Sequence, residues 1–263
     1  MKNFKIIFMV GFPRSGTTLA QSLFMCDDDV YSVPETHFFT KGIRARFLPQ
    51  SISNIWTSYY CYRWIKKNFN ERKVIYSISR RALVIKFFEY LMEHAKRAGK
   101  SVLLEKTPAH LNCITEIDDF FEDAKYVHII RDVDGAISSI VKAAEQWGGD
   151  CEKNNNLFRW IKEIFISQYY CSLFPEKHKI LVYENIVNDS AKVANEINEA
   201  MSLNIKDVNK ETLRCNALKV VGMEEVWKGS NISGEKANKK SVMNDKDRDA
   251  IGKHIEFLKS NIK

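Results

Sequence analysis

Residues 5–18 read Lys-Ile-Ile-Phe-Met-Val-Gly-Phe-Pro-Arg-Ser-Gly-Thr-Thr. The first half, residues 5–11, is a continuous apolar run, which is typical of a parallel strand buried on both faces. Apolar residues at helical spacing follow between Thr17 and Met25. A glycine-containing turn between a buried strand and a helix is the setting of an anion-binding loop, because backbone N–H groups and the helix dipole meet there. The stretch therefore predicts an α/β fold that binds a phosphate-like group.

The turn differs from the loop Gly-x-x-x-x-Gly-Lys-Ser/Thr that binds nucleoside triphosphates. Gly11 and Gly16 have the required spacing and Thr18 occupies the Ser/Thr position, but Thr17 stands where lysine is expected. The cation lies inside the loop instead, at Arg14. Because hydrolysis of ATP or GTP uses that lysine on the β- and γ-phosphates, the change argues against an NTPase. A kinase of a small metabolite, with Arg14 replacing the lysine, stays open as an alternative.

The rest of the chain alternates between strand-like and helix-like segments. Further strands are predicted at 101–104, 126–130 and 179–183, and further helices at 80–98 and 135–145. This alternation predicts an α/β fold with a parallel sheet, right-handed crossovers and helices on both faces, in three layers. Residues 1–263 are predicted to form a single domain, in which 41–100 and 151–175 are helical insertions over the carboxyl edge of the sheet. Ligands of open α/β sheets bind at that edge.

Composition and charge exclude several other classes of protein. The 263 residues are 45% hydrophobic, which excludes wholesale disorder, and no apolar run approaches the roughly 20 residues of a membrane helix. The six cysteines lie 20 or more residues apart, so we expect reduced thiols in a cytoplasm and neither a zinc site nor a disulfide framework. The net charge of +7 leaves a nucleic-acid-binding module open, with strongly salt-dependent binding. That alternative leaves the loop unexplained, so no nucleic-acid partner is expected.

Two motifs resemble the binding site of sulfotransferases that use 3′-phosphoadenosine 5′-phosphosulfate (PAPS). The segment Gly11-Phe12-Pro13-Arg14-Ser15-Gly16-Thr17-Thr18 is similar to the loop that holds the 5′-phosphosulfate. In these enzymes an arginine at the end of a central strand and a serine eight residues later hold the 3′-phosphate, and Arg131 and Ser139 match that pattern. A charged donor at a strand end and a hydroxyl in the next helix can also approach one phosphate from two sides on physical grounds alone.

Three further segments extend the resemblance over most of the chain. Lys106, in Leu-Glu-Lys-Thr-Pro, resembles the lysine that lies near the transferred sulfuryl group. Tyr183, in Tyr-Glu-Asn-Ile, resembles the tyrosine near the nucleotide, and Lys228-Gly229 is similar to a late loop that closes on the 3′-phosphate. The resemblance thus implies a set of cofactor-binding residues: Arg14, Ser15, Gly16, Thr17, Thr18, Arg131, Ser139, Tyr183, Lys228 and Gly229.

The general base has two candidates. Glu35, 21 residues after Arg14, resembles the catalytic glutamate of the tyrosylprotein and several carbohydrate and bacterial sulfotransferases. Cytosolic sulfotransferases instead carry a catalytic histidine two residues after the lysine that Lys106 resembles, but Pro108 stands there and His110 comes two residues later. We therefore predict Glu35 as the base, with His37 and His110 as substrate contacts.

The resemblance implies a P-loop-like enzyme that moves a sulfuryl group from PAPS to an acceptor hydroxyl and releases PAP. Arg14 and Lys106 are expected to stabilise the charge that develops during in-line transfer, without a metal ion. A carbohydrate or glycoconjugate acceptor is expected, because the regions 41–100 and 151–175 combine aromatic rings, which stack on sugars, with cations, which bind acidic groups. The same composition also suits a phenol, a lipid headgroup or a peptide tyrosine as the acceptor. A bacterial cytoplasmic enzyme without a membrane span is the predicted type.

Overall fold

A computed structural model describes residues 4–43, 49–147, 152–220, 249 and 251–253. The strands are β1 Lys5–Gly11, β2 Val30–Val33, β3 Val102–Lys106, β4 Lys125–Ile130 and β5 His178–Val182. The α-helices are α1 Thr17–Phe24, α2 Gln50–Phe69, α3 Arg80–Arg97, α4 Ile114–Asp118, α5 Val133–Trp147, α6 Lys153–Leu173, α7 Tyr183–Asn188, α8 Ser190–Met201 and α9 Lys210–Val220. A π-helical turn, Phe38–Gly42, follows β2, and a 3₁₀ helix, Pro108–Cys113, follows β3.

The strands form a parallel sheet in the order β2-β3-β1-β4-β5, so that β1 lies in the centre. Met9 on β1 pairs with Lys106 on β3, and Gly11 pairs with Ile129 on β4. Because parallel strands end at the same edge of a sheet, the loop after Gly11 lies beside the residues that end or follow β3 and β4. The carboxyl edge of the sheet therefore collects the chemical groups that the sequence places after each strand.

Helices cover both faces of the sheet. Phe8 belongs to a core cluster with aromatic residues of α3, whereas Met9, on the opposite face of β1, packs with residues of α1 and α8. Phe87 of α3 stacks on Phe38 at a ring-centroid distance of 4.7 Å, which attaches this helix to the turn after β2. The predicted three-layer α/β fold with a parallel sheet is confirmed.

The predicted strands and helices are all present, with ends that differ by at most two residues. β2 was not predicted, since it has only four residues and only Val30 and Val33 among them are buried. The region 41–100 contains α2 and α3, and the region 151–175 contains α6. Within residues 41–100, the helix α3 is not an insertion, because it packs against β3 and covers one face of the sheet. The single-domain organisation of residues 1–263 stays a prediction.

The described ranges contain no helix with the length and apolar character that a bilayer span requires. The cysteines in these ranges are free thiols: Cys26, Cys61, Cys113, Cys171 and Cys215. Lys228 and Gly229 lie outside the described residues.

Candidate active site

The loop between β1 and α1 depends on two glycines. Gly11 has φ 146°, and a Cβ there would collide with the carbonyl oxygen of Ile129 on the neighbouring strand. Gly16, with φ 85°, caps α1, and a Cβ on it would run into the ring of Tyr183. Both positions combine a backbone conformation that L-residues rarely adopt with a lack of space. The sequence therefore folds here into a tight turn that brings backbone N–H groups to the start of α1.

Arg14 joins this loop to the second motif. Its backbone also has a positive φ of 71°, and its Nε donates a hydrogen bond to Ser139 Oγ on α5 at 3.2 Å. Arg131, which follows β4, donates from Nη1 to the carbonyl oxygen of Arg14 at 3.2 Å. Ser139 is buried and accepts from Arg14 through its oxygen, so its own hydroxyl proton remains available to an anion. The structure thus brings Arg14, Arg131 and Ser139 together, as the two motifs predicted.

Tyr183 completes the same end of the site. The guanidinium carbon of Arg131 lies 4.3 Å from the centre of the Tyr183 ring, which is a close cation–π contact. The ring is the one that leaves no room for a side chain at Gly16. Tyr183 therefore touches the first motif and the second, although it lies at the start of α7, after β5.

A second group of residues lies after β2 and at the end of β3. Lys106 Nζ donates to Glu35 Oε1 at 2.6 Å, and only 5% of the Lys106 surface is exposed. His37 Nε2 lies 3.3 Å from Glu35 Oε2. Burial lowers the pKa of His37 despite the opposing effect of Glu35, so this ring is neutral at neutral pH. Glu35 thus stands between a buried cation and a neutral imidazole.

The backbone around Glu35 is held by aromatic side chains of α2. Trp64 Nε1 donates to the carbonyl oxygen of Glu35 at 3.0 Å, and the Tyr60 hydroxyl donates to that of Thr36 at 2.7 Å. These bonds satisfy both carbonyls and leave the Glu35 carboxylate directed at Lys106. The inner side of α2 therefore fixes the position of the candidate base.

Glu105 is a site residue that the sequence analysis missed. Its side chain is fully buried, and Oε1 accepts hydrogen bonds from the hydroxyls of Thr36 at 2.7 Å and Thr107 at 2.6 Å. Oε2 lies 2.9 Å from His110 Nδ1. The electrostatic effect of His110 and these hydrogen bonds hold the pKa of Glu105 below its ordinary value, although burial alone would raise it. A carboxylate one residue before Lys106 was the available signal, but Thr36, the partner that joins it to the segment of Glu35, lies 69 residues away.

His110 has a structural position. It is fully buried, its Nε2 accepts a hydrogen bond from the backbone N–H of Phe39 at 3.2 Å, and its Nδ1–H therefore points at Glu105. Both ring nitrogens are occupied within the protein, which leaves none for the predicted contact with substrate. The ring supports the turn that follows Glu35.

The residues present fit a phosphate-like ligand. Ser15 Oγ and Arg131 Nε are buried and have no hydrogen-bond partner among the described residues. Orphaned donors of this kind beside a helix N-terminus suit an anion. In the described part of the chain, no group of three or more His, Cys, Asp or Glu residues is arranged to hold a metal ion.

Solved structures share the fold. The sulfotransferase domain of the curacin biosynthetic pathway superimposes with a TM-score of 0.62 at 15% identity, over 96% of this chain and 98% of that domain. The sulfotransferase domain of the Synechococcus PCC 7002 olefin synthase gives 0.54 at 17% identity, over 97% of this chain and 95% of that domain. Mouse sulfotransferase SULT7A1, solved in complex with PAP, gives 0.53 at 11% identity, over 98% and 84%.

Sequence relatives point the same way. An uncharacterized protein of Aquifex aeolicus is 25% identical over 85% of this chain, and protein-tyrosine sulfotransferase A of Caenorhabditis elegans is 24% identical over 67%. The chain spans 29% and 44% of the lengths of these two relatives. The family profile described as "Sulfotransferase family" matches residues 7–207, which include both motifs and the Glu35–Lys106 pair. The chain belongs to the sulfotransferase family.

Proposed function

We propose that this sulfotransferase transfers a sulfuryl group from PAPS to an acceptor hydroxyl and releases PAP. The observation that carries the proposal is the junction of Arg14 with Ser139 and Arg131, because it joins the two predicted phosphate-binding motifs in one site. PAPS has two phosphate-bearing ends, and the chain offers one motif for each. A metabolite kinase does not require a binding site for a 3′-phosphate, so it would leave the second motif unexplained. The match to the sulfotransferase profile also argues against a kinase.

Different residues of the chain are proposed to bind the two phosphate groups of the nucleotide. The backbone N–H groups of residues 15–18, with the hydroxyls of Thr17 and Thr18, are proposed to hold the 5′-phosphate at the start of α1. Arg131 and Ser139 are proposed to bind the 3′-phosphate, which distinguishes this nucleotide from AMP. Tyr183 orients Arg131 by lying beneath its guanidinium group. Lys228 and Gly229 keep the role that the resemblance implies, closing on the 3′-phosphate.

Glu35 is proposed to remove the proton from the acceptor hydroxyl. Lys106 and Arg14 are proposed to stabilise the negative charge on the sulfuryl oxygens and on the bridging oxygen. The bond of 2.6 Å between Lys106 Nζ and Glu35 Oε1 places the base beside the cation, so the acceptor oxygen would be activated next to the group that neutralises the transferred charge. His37 is proposed to contact the acceptor, since its Nε2 lies 3.3 Å from the same carboxylate.

For the acceptor we propose a carbohydrate or glycoconjugate hydroxyl, which the aromatic and basic composition of α6 supports. A tyrosine hydroxyl of a peptide is the second candidate, because a relative that aligns with 67% of the chain is a protein-tyrosine sulfotransferase. Turnover of PAPS with a polysaccharide panel and with a tyrosine-containing acidic peptide separates the two. A bacterial cytoplasmic setting stays a prediction.

Calorimetric binding of 3′,5′-ADP, which is PAP, tests the cofactor assignment. We expect micromolar binding to the wild type, much weaker binding of 5′-AMP and of Mg²⁺-ATP, and loss of 3′,5′-ADP binding in Arg131→Ala. Arg97→Ala on α3, where the side chain is 68% exposed, is the matched control and should bind like the wild type. Equal affinities for 3′,5′-ADP and 5′-AMP would overturn the proposed 3′-phosphate site.

A further inference from the structure

The first half of α2, residues 50–59, has an inverted pattern, with polar residues facing inward and apolar residues facing solvent. Its inner face carries Ser53, Asn54, Thr57 and Ser58, all buried. On the outer face the exposed fractions are 50% for Ile52, 60% for Ile55, 48% for Trp56 and 52% for Tyr59. These four side chains recur at the spacing i, i+3, i+4 and i+7, which places them on one stripe. A contiguous exposed apolar stripe marks an interaction site rather than a requirement of folding.

The orientation of α2 is fixed by its polar side. Asn54 Nδ2 donates to the carbonyl oxygen of Ser77 at 3.2 Å, and Thr57 Oγ1 donates to that of Gly42 at 2.9 Å. Further along the helix, Tyr60 and Trp64 bind the backbone next to the candidate base. Turning the apolar stripe inward would break all of these bonds, so the stripe is a permanent part of the surface.

The extended segment before α3 enlarges this apolar area. Val74, Tyr76 and Ile78 are 64%, 55% and 82% exposed, whereas Ile75 between them is buried. Gln50 Nε2, in the first turn of α2, donates to the carbonyl oxygen of Ile78 at 3.4 Å. The outer stripe of α2 and the outward side chains of residues 74–78 are together called the α2 surface below.

The part of the sequence that contains the α2 surface is strongly basic. Residues 41–81 contain ten Lys and Arg against one acidic residue, Glu71, a net charge of +9, while the whole chain carries +7. Arg63 continues the outer stripe, with its guanidinium carbon 5.9 Å from the centre of the Tyr59 ring. Lys86 Nζ donates to the carbonyl oxygen of Tyr76 at 3.2 Å. Cations therefore border the apolar side chains on both the helix and the extended segment.

We propose that the α2 surface binds the anionic surface of a phospholipid membrane. Isoleucine, tryptophan and tyrosine side chains beside a basic cluster are the composition of helices that lie in the lipid–water interface. A glycan would stack on the aromatic rings, but it would not explain the exposed aliphatic side chains of Ile52, Ile55 and Ile78. A second copy of the chain would bring one strongly positive surface against another, which like-charge repulsion disfavours. The proposal does not depend on the sulfuryl-transfer chemistry.

Sedimentation of the full chain with vesicles tests the proposal. We expect binding to phosphatidylcholine vesicles that contain phosphatidylglycerol, little binding to phosphatidylcholine alone, and weaker binding at high salt. The double variant Ile52→Ser, Ile55→Ser and the double variant Arg63→Gln, Lys66→Gln should each lower the partition coefficient by roughly tenfold or more. The matched controls are Phe158→Ser with Leu173→Ser, which are exposed apolar positions on α6, and Lys192→Gln with Lys210→Gln.

The controls should retain the wild-type partition coefficient, and circular dichroism should show that all variants are folded. The proposal is overturned if the wild type ignores the anionic vesicles, or if the control variants lose binding as strongly as the α2 variants. Light scattering measures the oligomeric state of the same variants. A dimer that dissociates in Ile52→Ser, Ile55→Ser while vesicle binding stays unchanged would assign the surface to a second copy instead.

Discussion

Lys106 and Glu35 lie 71 residues apart in the sequence, yet Lys106 Nζ and Glu35 Oε1 are 2.6 Å apart. The sheet brings them together, because β2 and β3 are parallel neighbours and each residue lies at or just beyond the carboxyl end of its strand. The base and the cation of the proposed reaction are therefore positioned by backbone pairing. Their relative position does not depend on the conformation of a long loop.

Replacement of Glu35 should separate catalysis from nucleotide binding. We expect Glu35→Gln to lower kcat by about 10²–10⁴-fold, the usual contribution of a positioned base, while the affinity for 3′,5′-ADP stays unchanged. The amide is isosteric and its oxygen still accepts from Lys106, so the site keeps its shape. Release of PAP from PAPS in the presence of each acceptor measures the rate, and calorimetry measures binding. Glu93→Gln, at a 62% exposed position on α3, is the control, and an unchanged kcat in Glu35→Gln would remove Glu35 as the base.

Gly16 and Gly99 form a natural pair for testing the loop. Both have positive φ, 85° and 72°, but a Cβ at Gly16 meets the Tyr183 ring whereas a Cβ at Gly99 meets nothing within 4 Å. We expect Gly99→Ala to cost about 1 kcal/mol of unfolding free energy, from the backbone alone, and to leave nucleotide binding intact. Gly16→Ala should cost more and abolish binding of 3′,5′-ADP. Urea unfolding and calorimetry distinguish the two, and similar behaviour of both variants would contradict the proposed contact between Gly16 and Tyr183.

Glu105 should contribute to stability as well as to the site. In Glu105→Gln the side-chain NH2 would meet either His110 Nδ1–H or the backbone N–H of Thr36, so two donors would face each other where a hydrogen bond exists now. We expect a loss of about 2–4 kcal/mol in the free energy of unfolding, as for other buried charged groups whose hydrogen bonds are broken. Urea unfolding measures this loss. The matched control is Glu89→Gln at an exposed position on α3, which should stay within about 0.5 kcal/mol of the wild type. A loss in Glu105→Gln no larger than in the control would show that the network is not stabilising.

A buried pair of histidines predicts how stability depends on pH. His128 Nε2 and His178 Nδ1 are 2.9 Å apart, and burial, with a smaller effect of neighbouring positive charge, lowers the pKa of His128 to about 3 and that of His178 to about 4. The unfolded chain binds protons near pH 6.5 and the folded chain does not, so stability is complete above that pH and falls as the pH drops towards 4.

The size of this loss can be measured directly. Taking the two rings as one unit, we expect roughly 3 kcal/mol less unfolding free energy near pH 4 than at pH 7. Between pH 7 and pH 9 both rings are neutral in both states, so the pair adds no slope there. His178→Phe should reduce the acidic slope in part, because burial still lowers the pKa of His128, while the phenyl ring keeps the stack on Tyr126, where the ring centroids are 4.5 Å apart. An unchanged acidic slope in that variant would exclude the pair as its origin.

Local sequence patterns predicted most of the fold, because the main strands and helices can be recognised from residues that are neighbours in the sequence. β1 is an uninterrupted apolar run and α3 has clear helical spacing, so both are found from neighbouring residues alone. The meeting of Arg14 with Ser139 was also accessible, since two motifs at strand ends of one sheet imply a common edge. What the patterns missed is a tertiary contact. Glu105 accepts a hydrogen bond from Thr36, 69 residues away, and no local signal connects these two positions.

The inverted helix α2 was missed for a different reason. An amphipathic pattern tells which side chains share a face, but not which face is buried, and the apolar face is the usual choice. In α2 hydrogen bonds from Asn54 and Thr57 decide the orientation instead. β2 escaped prediction because a strand of four residues with two buried side chains is indistinguishable from a turn.

The central position of β1 has a consequence for synthesis of the chain. Both neighbours of this strand come much later in the sequence, from residue 102 and residue 125 onward, so the emerging polypeptide carries an unpaired Ile-Ile-Phe-Met-Val segment for about a hundred residues. Such a segment has high β-propensity and no charge, and it pairs readily with other unpaired strands. Nascent chains that stop before Val102 should therefore aggregate or bind chaperones, and protection should begin when β3 becomes available.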